Sequence, residues 1–471
     1  MMNYREKIWT FILVLVLSIL PAVEAAQAQE ELPSGPVYII QEGDTLWDIA
    51  QRFGVPWEDL ARENGISDPG QLTAGEEIII PGLEGIGDVL VTTPVPLGEN
   101  IRSLSRSFQI PEEKIINLNH LTSTEELYSG YNMVIPEVSQ QQVKMERFSL
   151  ANGQSLIELA LKHGVSPWTL VIENHLEGTW GVIPGDVLVL QDQDSIPGPG
   201  GLPGEITALE ISPEPLVQGE TTVLRIDTSE EMDVYGSLID HQLNFFRDKE
   251  GEYVALQGVH ALTEPGYYSF LVEGELDNGV PFGFSQRIYV APGDYVYKSL
   301  QVPEATLDPD VTIPEDKLWA ALAGPVTPEQ LWQGVFENPV APSPCGYTDT
   351  FGHRRSYNGS PYNYFHTGLD FCYNYNNEVN EIYAPADGVV VFAGPLIVRG
   401  NAVMIDHGLG IYSGYMHQEE IMVEVGERVE TGQVIGIVGG TGRVNGPHLH
   451  LEIWAGGVQV DPEDWLGSVY P

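Results

Sequence analysis

The chain has 471 residues, of which 67 are acidic and 21 basic, giving a formal net charge of -46 at neutral pH. That length exceeds what one hydrophobic core organises, so three or more domains are expected. The charge excludes nucleic acid and anionic membrane surfaces as partners.

Residues 1–28 read as a secretory signal peptide: Arg5 and Lys7, an uncharged apolar run from Ile8 to Leu20, then small residues ending in Ala26-Gln27-Ala28. The Ala-x-Ala spacing favours cleavage over retention as an anchor. No later run is apolar enough to span a bilayer, so no membrane partner is expected after cleavage.

A repeat follows at an interval of 55 residues, carried by Gly43, Gly98 and Gly153, by Asn64, Asn119 and Asn174, and by Gly75, Gly130 and Gly185. The copies span 37–82, 88–137 and 143–192. In the first, Val37-Tyr38-Ile39-Ile40 predicts a strand. Leu46, Ile49, Ala50 and Phe53 predict a helix capped by Asp44, a second helix is expected over Pro56 to Asn64, and Glu77 to Pro81 predicts a closing strand. The segments Gln41-Glu42-Gly43-Asp44-Thr45-Leu46-Trp47 and Leu72-Thr73-Ala74-Gly75 resemble the LysM domain. The resemblance implies small α+β modules that bind N-acetylglucosamine-containing glycan, between the turn after Gly43 and the loop from Asn64 to Gly75. The second copy departs from the pattern at Pro96-Leu97-Gly98-Glu99 and the third at Asn152-Gly153-Gln154-Ser155. Glycan binding and a purely structural spacer both remain open for them.

Residues 193–204, rich in Pro and Gly, predict a linker. Over 205–292 about seven short β-rich runs, among them 222–226, 253–256 and 267–272, predict an immunoglobulin-like β-sandwich. The connector 293–343 is expected to hold a helix starting at Thr327-Pro328-Glu329-Gln330, with Thr327 as N-cap.

Residues 344–471 carry six of the eleven histidines and five glycine-bounded β runs, which predict an all-β domain. In a strand His448 and His450 project from one face, about 6 to 7 Å apart at Cα. His366 and Asp370 would lie about 13 Å apart if extended, so the chain must bend at Gly368 for both to bind one ion. Two histidines and one aspartate leave a fourth position open, as a catalytic zinc needs. Tyr415 and His417 are expected on one strand face. No His-Glu-x-x-His helix is present, so a histidine must act as the base.

Together Phe351-Gly352-His353-Arg354-Arg355, Phe365-His366-Thr367-Gly368-Leu369-Asp370, Ala384-Pro385-Ala386-Asp387-Gly388, Tyr415-Met416-His417 and Gly446-Pro447-His448-Leu449-His450 resemble the lysostaphin-type (LytM) metallopeptidases. The resemblance implies zinc ligands His366, Asp370 and His450, catalytic His417 and His448 with Tyr415 assisting at the oxyanion, and peptidoglycan peptide as substrate. His353 and His407 read as structural. Cys345 and Cys372, the only cysteines, predict a disulfide if the chain is exported. The competing expectations are a non-hydrolytic activator of a separate wall amidase and a glycan-binding wall protein.

Overall fold

A computed structural model describes residues 35–471 apart from 71, 83–88, 138–143, 193, 196–197, 278, 343, 345 and 378. The expected signal peptide lies outside the described residues. Among those described, no helix is long and apolar enough to cross a membrane.

The described residues divide into two compact units, one ending at Leu90 and the other beginning at Val91. In the first, strands Val37–Ile39 and Glu77–Ile79 pair antiparallel around helices Leu46–Arg52 and Trp57–Glu63. The helix cap is Thr45, whose hydroxyl accepts from the Asp48 N–H, and not Asp44. The Asp44 carboxylate is drawn away by the Tyr38 hydroxyl at 2.7 Å and the Arg52 guanidinium at 3.0 Å.

In the second unit the helix–helix order recurs at Ile101–Phe108 and Glu112–Leu118, and again at Leu156–Lys162 and Pro167–Glu173. The repeated asparagines have one structural job. Asn174 donates to Leu170 O and Val189 O and accepts from Val189 N–H, tying the second helix to the closing strand. Asn64 and Asn119 make the same three bonds. The repeated glycines stand at positive φ, between 77° and 89°, where a side chain is strained.

A five-stranded sheet containing Asp233–Leu238, Gly266–Glu275 and Pro281–Ala291 faces a four-stranded sheet containing Ile206–Ser212, Thr221–Thr228 and Tyr253–Gly258. Leu224, Ile226, Phe270, Val272, Ile288 and Val290 form their shared core. This middle domain holds the turns of copies two and three. Gln286 accepts from Gly98 N–H and donates to Pro96 O, Ser129 N–H donates to Arg287 O, and Asn152 reaches Gly279 O. The described part of the expected linker is packed, not extended: Leu202 is buried in the middle-domain core, and Gly201 N–H donates to Gly98 O. Its glycines serve close approach, since a Cβ on Gly204 would lie 2.1 Å from Arg147 O.

The connector helix runs from Pro309 to Leu322, capped by Asp308, rather than starting at Thr327. Thr327 is spent elsewhere: its hydroxyl donates to Asp406 at 2.5 Å, and its carbonyl accepts from Leu409 N–H. The last domain is a ten-stranded sheet whose centre runs Tyr347–Asp349, Leu369–Cys372, His448–Ala455, Ile411–Ile421, Asn401–Gly408, Gly388–Pro395. Leu369, Leu449, Leu451 and Tyr415 pack one face of it, while Trp319 of the connector helix packs the other with Met404, Tyr412 and Met416.

Candidate metal centre and active site

The strand register decides which side chains meet. Asp370 pairs with His450, and His450 with Met416, across three adjacent antiparallel strands. Paired residues share a face, so Asp370, His450 and, two residues on, His448 project together. His366 comes in from the preceding bend. Gly368 is required there for space: a Cβ would lie 2.1 Å from Leu451 O and 2.8 Å from His450 Nε2.

Three donor atoms converge. His366 Nε2 lies 3.0 Å from Asp370 Oδ1 and 3.0 Å from His450 Nδ1, and His450 Nδ1 lies 2.7 Å from Asp370 Oδ1. His366 Nδ1 donates to Thr350 O at 2.7 Å, leaving Nε2 with its lone pair. His450 Nε2 faces the Thr367 hydroxyl at 3.3 Å and Glu452 Oε1 at 3.5 Å, both acceptors here because Thr367 gives its own proton to Glu452. Two imidazole lone pairs and a carboxylate therefore face one point, which calls for a positive charge. The same demand shows in the titration of His450: burial pushes its pKa down, but Asp370 and Glu452 outweigh this and raise it to about 9. This donor set fits a divalent ion such as zinc, with both histidines anchored from behind.

His417 and His448 stand beside the triad, their rings 4.9 Å apart, with His417 6.1 Å from the His450 ring. His417 Nδ1 donates to Thr441 O and His448 Nδ1 to Gly446 O, each at 2.8 Å, so both Nε2 atoms are free for chemistry. Burial first, then the His450 and His448 imidazoles, push the His417 pKa down to about 3, keeping it a neutral base.

Tyr415 corrects the sequence reading: it is not brought to this cluster. His417 sits at positive φ, 65°, beside an irregularity in the pairing with Asn401–Gly408, and this bulge breaks the two-residue alternation. Tyr415 pairs with Leu451 on the opposite, core face. Its hydroxyl donates to Ser413, which donates to His407 Nε2, while His407 Nδ1 donates to Asp387 O. His353 acts at one remove: it holds Asp349 at 2.5 Å together with Lys298 and Arg355 at 2.7 Å, and Asp349 lies 3.9 Å from His366 Nδ1. Cys372 is disulfide-bonded, and the other cysteine, Cys345, lies outside the described residues.

The sequence reading missed Glu452, Thr441 and Thr350. Glu452 was detectable, since it has the strand parity of His448 and His450. The two threonine carbonyls carry no side-chain signal.

With this geometry in hand, residues 364–462 match the model of peptidase family M23, and residues 38–81 and 95–136 match that of the LysM domain. The C-terminal domain is a member of peptidase family M23, and two LysM domains precede it in the chain. Among curated relatives the chain is 43% identical over 88 residues to the peptidoglycan DD-endopeptidase ShyA of Vibrio cholerae, 19% of this chain and 20% of that protein. It is 40% identical over 91 residues to the murein hydrolase activator EnvC of Escherichia coli, 19% and 22% of the two chains. A solved M23 peptidase from Pseudomonas aeruginosa superposes with a TM-score of 0.38 at 24% identity, over 54% of this chain and 96% of that one. The chain thus spans about a fifth of the length of the curated relatives it matches.

Proposed function

We propose that the chain is an exported, zinc-dependent endopeptidase that cleaves peptide bonds in the stem peptides or cross-bridges of peptidoglycan, while its LysM modules hold it on the glycan. The observation that carries this reading is the convergence of His366 Nε2, Asp370 Oδ1 and His450 Nδ1, with the free Nε2 atoms of His417 and His448 beside them. The disulfide at Cys372 supports an oxidising compartment, in keeping with the expected signal peptide.

Zinc, when bound, supplies a Lewis acid and a water of lowered pKa. The chain's own residues do the rest. His366, Asp370 and His450 would hold the ion. His417, neutral and committed through Nδ1 to Thr441, takes up the proton at Nε2. His448, partly exposed and 3.6 Å from Asp370 Oδ1 through Nε2, meets the entering peptide and, when it carries a proton at Nε2 as well as at Nδ1, donates from Nε2 toward the developing oxyanion.

We assign glycan capture to the first LysM copy, since the turns of the second and third are engaged by the middle domain. The third copy shares every landmark of the repeat and is read as a divergent LysM module. The middle domain, two sheets around one core, is read as immunoglobulin-like.

Clearing of a peptidoglycan suspension by the full chain tests the proposal. Chelation should abolish clearing and zinc should restore it. Wall binding without clearing, with a separate amidase stimulated by the chain, would instead support the activator reading that EnvC's description suggests.

A further inference from the structure

The site does not end where the family match begins. On the face of the sheet that carries His450 and His448, the next residue of the same parity is Glu452, fully enclosed at 1% exposure. Its Oε2 accepts from the indole N–H of Trp319 at 2.8 Å and of Trp454 at 2.9 Å, and its Oε1 accepts from the Thr367 hydroxyl at 2.6 Å. Three donors fix this carboxylate behind His450, with Oε1 3.5 Å from Nε2. Trp319 belongs to the connector helix, outside residues 364–462. It reaches Glu452 because Gly414 leaves room, as a Cβ there would lie 2.8 Å from Trp319 Cζ2.

One turn earlier on the same helix face stands Glu315. Its carboxylate accepts the backbone N–H groups of Ile397, Val398 and Arg399 at 2.8 to 2.9 Å and pairs with the Arg399 guanidinium at 3.1 Å. The Arg399 carbonyl in turn accepts from His417 N–H at 2.9 Å, at the left-handed residue that turns His417 into the site. Two side chains of one helix thus reach the two halves of the centre, one behind a metal ligand and one behind the proton-accepting histidine.

We propose that the connector helix Pro309–Leu322 is a working part of the catalytic centre. Trp319 and Glu452 are positioning residues that hold His450 as a metal ligand, and Glu315 is a positioning residue for His417. This rests on the metal-site reading above. Partners behind a ligating histidine govern metal affinity by about 10- to 100-fold. The two halves therefore separate by measurement: the Trp319–Glu452 arm sets zinc affinity, and the Glu315 arm sets turnover.

The test uses the full chain and competition with a chromophoric zinc chelator. Trp319→Phe, which keeps a ring and loses the N–H, and Glu452→Gln should weaken zinc about tenfold or more, with Glu452→Ala weaker still than Glu452→Gln. Glu315→Gln should leave zinc affinity at the wild-type value and lower kcat with KM unchanged. Thr367→Val, which removes a hydroxyl donor at the edge of the network, gives the same zinc readout if a buried variant fails to fold. Wild-type affinity in Trp319→Phe, Glu452→Gln and Thr367→Val would overturn the proposal while leaving the metal site intact. A wild-type chain that takes up no zinc would instead remove the metal-site reading itself.

Discussion

At the scale of single residues, hydrogen-bond direction separates chemistry from architecture. Each of the four clustered histidines has one ring nitrogen turned to a backbone carbonyl or, at His450, to the Thr367–Glu452 pair, and the other turned into the site. Tyr415 is placed otherwise, so Tyr415→Phe should keep peptidoglycan cleavage within about twofold of wild type while costing about 1 kcal/mol of stability through the lost bond to Ser413. A fall in cleavage comparable to that of His417→Ala would return Tyr415 to the site. His407 gives a second prediction. Burial pushes its pKa down to about 4, so the folded domain holds it neutral while the unfolded chain takes a proton below about 6.5. Its contribution is complete above that value and is lost as pH falls toward 4, a loss of about 3 kcal/mol. Unfolding midpoints of the zinc-free chain should show this acid loss, and His407→Gln should show a correspondingly shallower pH dependence. Equal slopes in the two would contradict it.

Elements explain what the sequence made legible and what it did not. The alternation of Leu449-His450-Leu451-Glu452 survives folding intact, so the shared face of His448 and His450 could be read directly, as could the bend at Gly368. The same rule applied to Tyr415 and His417 fails, because a bulge adopted at a non-glycine residue leaves no mark in the residue types. The helix expected at Thr327 failed for a different reason. A capping motif is local, and Asp406, 79 positions away, claims its hydroxyl. The helix that does form begins with an equally good cap, Asp308 before Pro309. Where that helix lies on the sheet, Gly414 should not accept a methyl group: Gly414→Ala would press on the Trp319 ring and destabilise the last domain by about 1 to 3 kcal/mol. A thermal midpoint unchanged from wild type would show that the helix can lift away freely.

Across the whole molecule, we propose that a repeated module has been put to two uses. The spacing of glycines and asparagines was enough to find three copies, because those residues hold positive φ and the helix–strand tie in each. It could not show that the turns of the second copy dock on the middle domain, since that depends on Gln286 and Arg287, far away in sequence. In the first copy Trp47 and Trp57 are 61% and 41% exposed. Removing residues 37–82 should therefore lower retention on purified wall material about tenfold or more, whereas Gln286→Ala should loosen the second copy and leave retention unchanged. Retention that survives the deletion would return glycan binding to the other copies.

The central claim is that the buried histidine–aspartate cluster cuts peptide bonds of the wall, and mass spectrometry of fragments released from purified peptidoglycan by the full chain tests it most directly. The account predicts fragments with new peptide ends, absent with chelator and absent with His450→Ala. Release of intact peptides cut from the glycan, or release that persists in His450→Ala, would contradict it.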